Sequence, residues 1–159
     1  MGRGGRLQLS DAASIGYNSG PMAVHTAQLR VSTEGHGDVI DITHGVREVV
    51  ETASITDGVV NVFVAHSTAA ITLMEYEPGG VNDLRELMNR LVPPDRDYQH
   101  NQLNHDTNAH SHLQAAVIGP SETVPVRDGH LHTGTWQQFV LVDFDDSPRQ
   151  RTVMVQVVG

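Results

Sequence analysis

Short β-branched runs, broken by turn dipeptides and interleaved with only a few helical stripes, limit what this chain can fold into. Val59 to Ala65 is long enough for a buried strand, and Ala69 to Met74 reads as its antiparallel return. Gln28 to Glu34 alternates Leu29, Val31 and Thr33 with polar residues, and Val39 to Ile42 resumes after Gly35-His36-Gly37, so the two read as a hairpin. Thr123 to Val126, Gln138 to Phe144 and Thr152 to Val158 are further strands, with turns at Asp57-Gly58, Asp128-Gly129 and Asp145 to Pro148. Three stretches carry helical spacing instead. Val46, Val49, Val50 and Ala53 follow Thr43 as a cap; Val81, Leu84, Leu87, Met88 and Leu91 run up to Pro93-Pro94; Ala109, Leu113 and Ala116 follow Asn108 as a cap. About seven strands and about three helices without regular βαβ alternation predict an α+β fold, mainly antiparallel. Because aromatic residues make up only 4% of the chain, the interior must be built from Val, Leu, Ile and Ala.

The length of 159 residues suits one domain. Residues 1–21, rich in Gly and without a sustained period, read as a flexible leader, leaving 22–159 as the folded unit. A net charge of −9 argues against nucleic acid or an anionic membrane as partner, and no apolar stretch approaches the ~18–20 residues of a membrane span. The expectation is a soluble, cytoplasmic protein. There is no Lys and no Cys, which removes Schiff-base and thiolate catalysis and phosphate-loop chemistry. Proton transfer and metal binding then fall to carboxylates and to ten histidines.

Among these, His66 stands in the polar corner His66-Ser67-Thr68 at a strand end. His100 lies in the polar stretch Asp95 to Asn108, whose length points to function, and His112 lies on the following helix. Glu75, Asp106 and Asn108 lie nearby in sequence. Three imidazoles with carboxylates fit a divalent metal, zinc in preference to magnesium; surface histidines are the competing reading. On a helix His110 and His112 are about 200° apart and do not share a face. His130 and His132 share one if extended, but they sit beside a turn. His25, His36, His44 and His105 read as surface residues. Thr135-Trp136-Gln137 holds the one tryptophan among polar neighbours, a plausible ligand wall. Arg149 and Arg151 point the same way on an extended segment, which suits either a phosphate or carboxylate clamp or an ion pair.

In order along the chain, His66-Ser67-Thr68-Ala69-Ala70, Glu75 with Asp83-Leu84, Asn89 to Pro93, Tyr98-Gln99-His100, Asn108 to Leu113, Gly119-Pro120-Ser121, Gly134 to Gln137 and Pro148 to Arg151 resemble the YjbQ family, also called UPF0047 and often labelled secondary thiamine-phosphate synthase. The resemblance spans roughly residues 24–159. It implies an α+β homotrimer with sites near subunit borders and a His-containing, metal-binding pocket. By position, His66, His100 and His112 match family histidines, and Glu75, Asp106, Trp136, Gln137 and Arg151 match other recurring positions. The implied activity joins hydroxymethylpyrimidine diphosphate to thiazole phosphate and releases diphosphate. On this reading the metal ligands are His66, His100 and His112 and the catalytic residues are Glu75 and Asp106, either of which would move the proton of a zinc-bound water in a hydrolase or lyase. Asn108, Thr135, Trp136, Gln137, Arg149 and Arg151 then hold a phosphorylated or anionic small molecule. Two readings compete with it: a metal-dependent hydrolase or lyase, and a non-catalytic trimeric ligand-binding protein.

Overall fold

A computed structural model describes residues 22–159, so the expected leader 1–21 lies outside the described residues. The described residues form eight strands and four helices. In chain order these are β1 (Val24–Thr33), β2 (Asp38–Asp41), α1 (Thr43–Thr52), β3 (Gly58–Val64), β4 (Ala69–Met74) and α2 (Pro78–Leu91). Then follow α3 (Gln99–Asn104), α4 (Ala109–Ile118), β5 (Ser121–Arg127), β6 (His130–Leu131), β7 (Gln138–Asp143) and β8 (Arg149–Val158). The strands make two antiparallel sheets, one ordered β1-β8-β3-β5-β6 and the other β2-β7-β4. The α+β class and the antiparallel pairing agree with the expectation.

The layering follows from the strand patterns. Strand β7 reads Gln-Phe-Val-Leu-Val-Asp, apolar on both faces, as suits a central strand covered on both sides. Phe139 and Leu141 face the larger sheet, where they join Val60, Val62, Val153 and Val155 and the α1 residues Val46, Val49 and Val50. Val140 and Val142 face the other way, against Met88 of α2 and Ala115 of α4. Burial of each such valine contributes about 1.5 kcal/mol or more, so an interior nearly free of aromatics holds by number rather than size.

Several local expectations are corrected. The segment Gln28 to Glu34 does not form a hairpin with Val39 to Ile42: β1 pairs with β8 and β2 with β7. Nor is β4 the return partner of β3. The two lie in different sheets, stitched by the Gly119-Pro120 turn, whose carbonyls accept from Ile71 N–H at 3.1 Å and Val64 N–H at 2.9 Å. Thr43 does not cap α1; its hydroxyl accepts from Phe139 N–H at 2.9 Å while Asp41 Oδ1 takes Thr43 N–H at 2.8 Å. Asn108 likewise makes no side-chain cap for α4, and the buried face of that helix is Ala109, Ser111, Gln114 and Ala115 rather than Leu113 and Ala116. Gln114 can face inward because its amide donates to Asn89 Oδ1 and to the Val92 carbonyl. The polar stretch 95–108 also contains α3.

Candidate functional site

The corner after β3 is built around two arginines. Arg151 enters from β8 and is 5% exposed; its Nε and Nη2 donate to Asp143 Oδ2 and Oδ1, both at 2.6 Å, and Asp143 is fully buried. Arg151 Nη2 also reaches Thr68 Oγ1 at 2.9 Å and Asp145 Oδ2 at 3.3 Å. Arg149, 45% exposed at its side chain, donates to Asp145 Oδ1 at 2.8 Å. The expected clamp is therefore divided: both guanidiniums converge on Asp145, and Arg151 is enclosed within the protein as the member of a bidentate ion pair. Its task is to hold Thr68, and with it the corner His66-Ser67.

His66 stands where β3 leaves the sheet. Val64 is the last residue of β3 paired with β8, opposite Val153, and the His66 Nε2 atom then accepts the next β8 amide, Thr152 N–H, at 3.4 Å. That bond leaves the proton on Nδ1. Burial first, then the charge of Arg151, lower the His66 pKa, with Asp143 partly offsetting them, so the ring is neutral at neutral pH.

His112 faces this corner from α4. Its Nδ1 lies 3.3 Å from the Ser67 carbonyl, which can only accept, so Nδ1 carries the proton and Nε2 presents its lone pair outward. A cavity of about 290 Å³ lies between the two rings, lined by His66, Ser67, Ala69, His112, Ala115, Ala116 and Pro120. On the other side of His112 a cleft of about 270 Å³ is lined by Tyr98, Gln99, His100, Ala109, His112 and Leu113. The His100 and His112 ring centroids are 4.9 Å apart. His100 Nε2 is 4.0 Å from Asp106 Oδ2, and its Nδ1 is 3.3 Å from Asn104 Nδ2. His112 borders both cavities, so the three histidines line two pockets that share this residue, together the histidine groove.

The remaining candidates separate. Asn108 lies at the start of α4 with its Oδ1 buried and unpartnered. Glu75, Thr135, Trp136 and Gln137 lie at the far end of β7, where Met74 pairs with Gln138 and Tyr76 N–H donates to Gln138 Oε1. A strand of six residues puts that end about 17 Å from the His66 corner. Within one chain these four residues do not share the histidine groove. There Thr135 and Gln137, with Asp41, His44 and Arg47, border a separate cavity of about 420 Å³, and Glu75 and Trp136 lie outside its lining. The sequence reading passed over Arg47 and the Asp143-Asp145 pair. In the sequence Arg47 shows only as the polar face of an amphipathic helix, Asp143 only as a residue of the strand Gln138 to Phe144, and Asp145 only as part of a turn.

The three imidazoles do not converge as a metal site. His66 Nε2 is occupied by Thr152, and among the described residues no group of three or more His, Asp or Glu side chains is placed to hold an ion.

Fold and site together define a two-sheet α+β protein with an imidazole-lined groove at the end of a central strand. Residues 27–159 match the family model described as UPF0047 protein YjbQ-like, and the chain belongs to that family. A UPF0047 protein of Methanothermobacter thermautotrophicus is 41% identical over 138 residues, 87% of this chain and 94% of that protein. A crystal structure described as a YbjQ-like protein of unknown function from Sulfolobus solfataricus is similar at a TM-score of 0.83 and 38% identity, covering 87% of this chain and 99% of that one. A hypothetical protein from Aeropyrum pernix has a TM-score of 0.79 at 38% identity, covering 84% and 98% of the two chains. Among the described residues no helix is long and apolar enough to cross a membrane.

Proposed function

We propose that the protein is an enzyme acting on a phosphorylated small molecule in the histidine groove, with the joining of hydroxymethylpyrimidine diphosphate to thiazole phosphate as its reaction to test first. The observation that carries the reading is His112. It lines both cavities, its Nδ1 is directed at the Ser67 carbonyl, and its Nε2 is left to accept a proton or, once protonated, to donate to a departing phosphate oxygen. In the joining reaction the thiazole nitrogen lone pair forms the new C–N bond as the methylene C–O bond breaks, and diphosphate leaves with the electron pair. A protonated His112 is the group suited to that charge; Arg149, bound to Asp145 at 2.8 Å, lines neither cavity. Asp106, 4.0 Å from His100, is the carboxylate on that side of the groove. Glu75 belongs to the reaction only if a second chain brings the far end of β7 to this groove. The assembly proposed here is the homotrimer implied by the family resemblance, in the cytoplasm.

Purified protein supplied with both substrates and Mg or Zn should form thiamine phosphate, and His112→Ala should slow it by about 10²–10⁴, the range for removing a general acid or base. Absence of product from the wild type overturns the thiamine reading, and an unchanged rate in the variant overturns the site. The second reading, a zinc-dependent hydrolase or lyase, draws on the imidazole character of the groove. No step is routed through a metal, because the ligands of a single chain do not meet. Metal analysis after equilibration with Zn tests it: fewer than one ion per chain, unchanged by His100→Ala, removes it. Light scattering at three chain masses is expected for the assembly.

A further inference from the structure

At the end of β7 remote from His66, His100 and His112, the cavity of about 420 Å³ lies between α1 and the loop entering β7. Its wall is mostly polar, with Leu131 as its apolar member: Arg47 and His44 come from α1, Thr133, Thr135 and Gln137 from the loop, and Asp41 from the end of β2. The loop is held in shape from within. Gln137 Oε1 accepts from Gly134 N–H at 2.8 Å, and Gln138 uses both ends of its amide, donating to the Thr135 carbonyl at 3.1 Å and accepting from Tyr76 N–H at 3.0 Å. At the start of α1, Asp41 Oδ1 takes Thr43 N–H, so that amide is not open to a ligand.

What remains free is an excess of donors. With its oxygen occupied, Gln137 has its Nε2 hydrogens left, and the Thr133 and Thr135 hydroxyls are available. Among the described residues Arg47 has neither an ion-pair nor a hydrogen-bond partner. His44 is tied outward to Glu48 at 3.3 Å. A guanidinium with hydroxyl and amide donors suits an oxyanion, and the second oxygen of Asp41 suits a hydroxyl on the same molecule. The volume exceeds that of a bare phosphate ion and falls within the range of small-molecule pockets.

We infer that this cavity is a second binding site, independent of the histidine groove, for a small hydroxylated organic anion whose phosphate or carboxylate group is held by Arg47. The only tryptophan of the chain provides a reporter. Trp136 is 69% exposed on the loop between Thr135 and Gln137, both of which line the cavity.

Tryptophan fluorescence is titrated with ribose 5-phosphate, with gluconate, and with ribose as the uncharged control. A saturable change is expected with one or both anions, and which of them acts distinguishes a phosphate from a carboxylate. Arg47→Gln should weaken that binding at least 10-fold, and His112→Ala should leave it unchanged. The inference is overturned if ribose saturates as tightly as the anions, if neither anion gives a change, if Arg47→Gln binds like the wild type, or if His112→Ala abolishes binding. Arg47 is exposed on its helix, and a thermal melt of the variant matching the wild type confirms that it is folded.

Discussion

Replacing Arg151 by Met should be among the most damaging single changes outside the apolar core. The guanidinium makes two bonds of 2.6 Å to Asp143, one of 2.9 Å to Thr68 and one of 3.3 Å to Asp145, and all four residues are buried. Methionine fills much the same volume, so the loss is electrostatic. Asp143 keeps the Thr33 hydroxyl and the Asp145 amide as donors but loses its counter-charge, while Asp145 retains Arg149. Removing one partner of a buried pair costs about 3–5 kcal/mol, because the other charge remains without compensation. With a urea m-value of about 1.5 kcal/mol/M for a chain of this size, the midpoint should fall by about 2–3 M. Arg151→Lys retains the charge but not the fork that meets both carboxylate oxygens, and should lie between the two. The double variant Arg151→Met with Asp143→Asn should recover part of the loss, since it removes the uncompensated charge along with its partner. A loss under about 1 kcal/mol for Arg151→Met, at an unchanged m-value, would refute the view that this pair organises the corner.

The same network predicts acid sensitivity. Burial pushes the Asp145 carboxyl up, but hydrogen bonds from Arg149 and Thr68 and the charges of Arg149 and Arg151 outweigh it and hold the group below the usual carboxylate range. Its contribution to stability is therefore complete above about pH 4, where the unfolded carboxyl is also ionised, and is lost as pH falls toward the lower folded value. Denaturation midpoints from pH 5 down to pH 2 should decline less steeply in Asp145→Asn, and parallel profiles would exclude Asp145 as a source. His66, depressed by burial and by Arg151, should titrate below about 6.5 in a histidine NMR series with Nδ1 protonated in the neutral form. Its contribution is present above pH 6.5 and lost as pH falls through the lower folded value; a midpoint at or above 6.5 contradicts the burial argument. Gly35 takes φ +76°, and a methyl group there would meet the Asp145 carbonyl at 2.5 Å and the Ser147 carbonyl at 2.8 Å. Gly35→Ala should cost about 1–3 kcal/mol by chemical denaturation, and a neutral result would show that the turn relaxes.

Local chemistry in the sequence settled where most elements lie and of which kind. The 3.6-residue stripe of Val46, Val49 and Val50 is the buried face of α1, and Pro93-Pro94 follows the end of α2 as a residue that cannot continue a helix demands. The continuous run through Phe139 to Val142 is a strand covered on both faces. The sequence also singles out His66, His100 and His112, which line two pockets that share His112. Strand partners were not legible, because β1, β3 and β8 carry similar alternating patterns and pairing is a long-range choice between them. Hence β1 pairs with β8, more than a hundred residues away, in place of its neighbour β2. The fate of polar groups was likewise decided only by tertiary structure. Two arginines two residues apart look alike in an extended segment, yet one is enclosed between Asp143 and Asp145 and the other reaches solvent. Glu75 and Thr135 to Gln137 come near the histidines in a motif list but end on the opposite side of the sheet, because β4 and β7 each run the length of it between the two places. Periodicity reports how one segment meets its immediate surroundings; which distant segments provide those surroundings depends on closing the chain around a shared core.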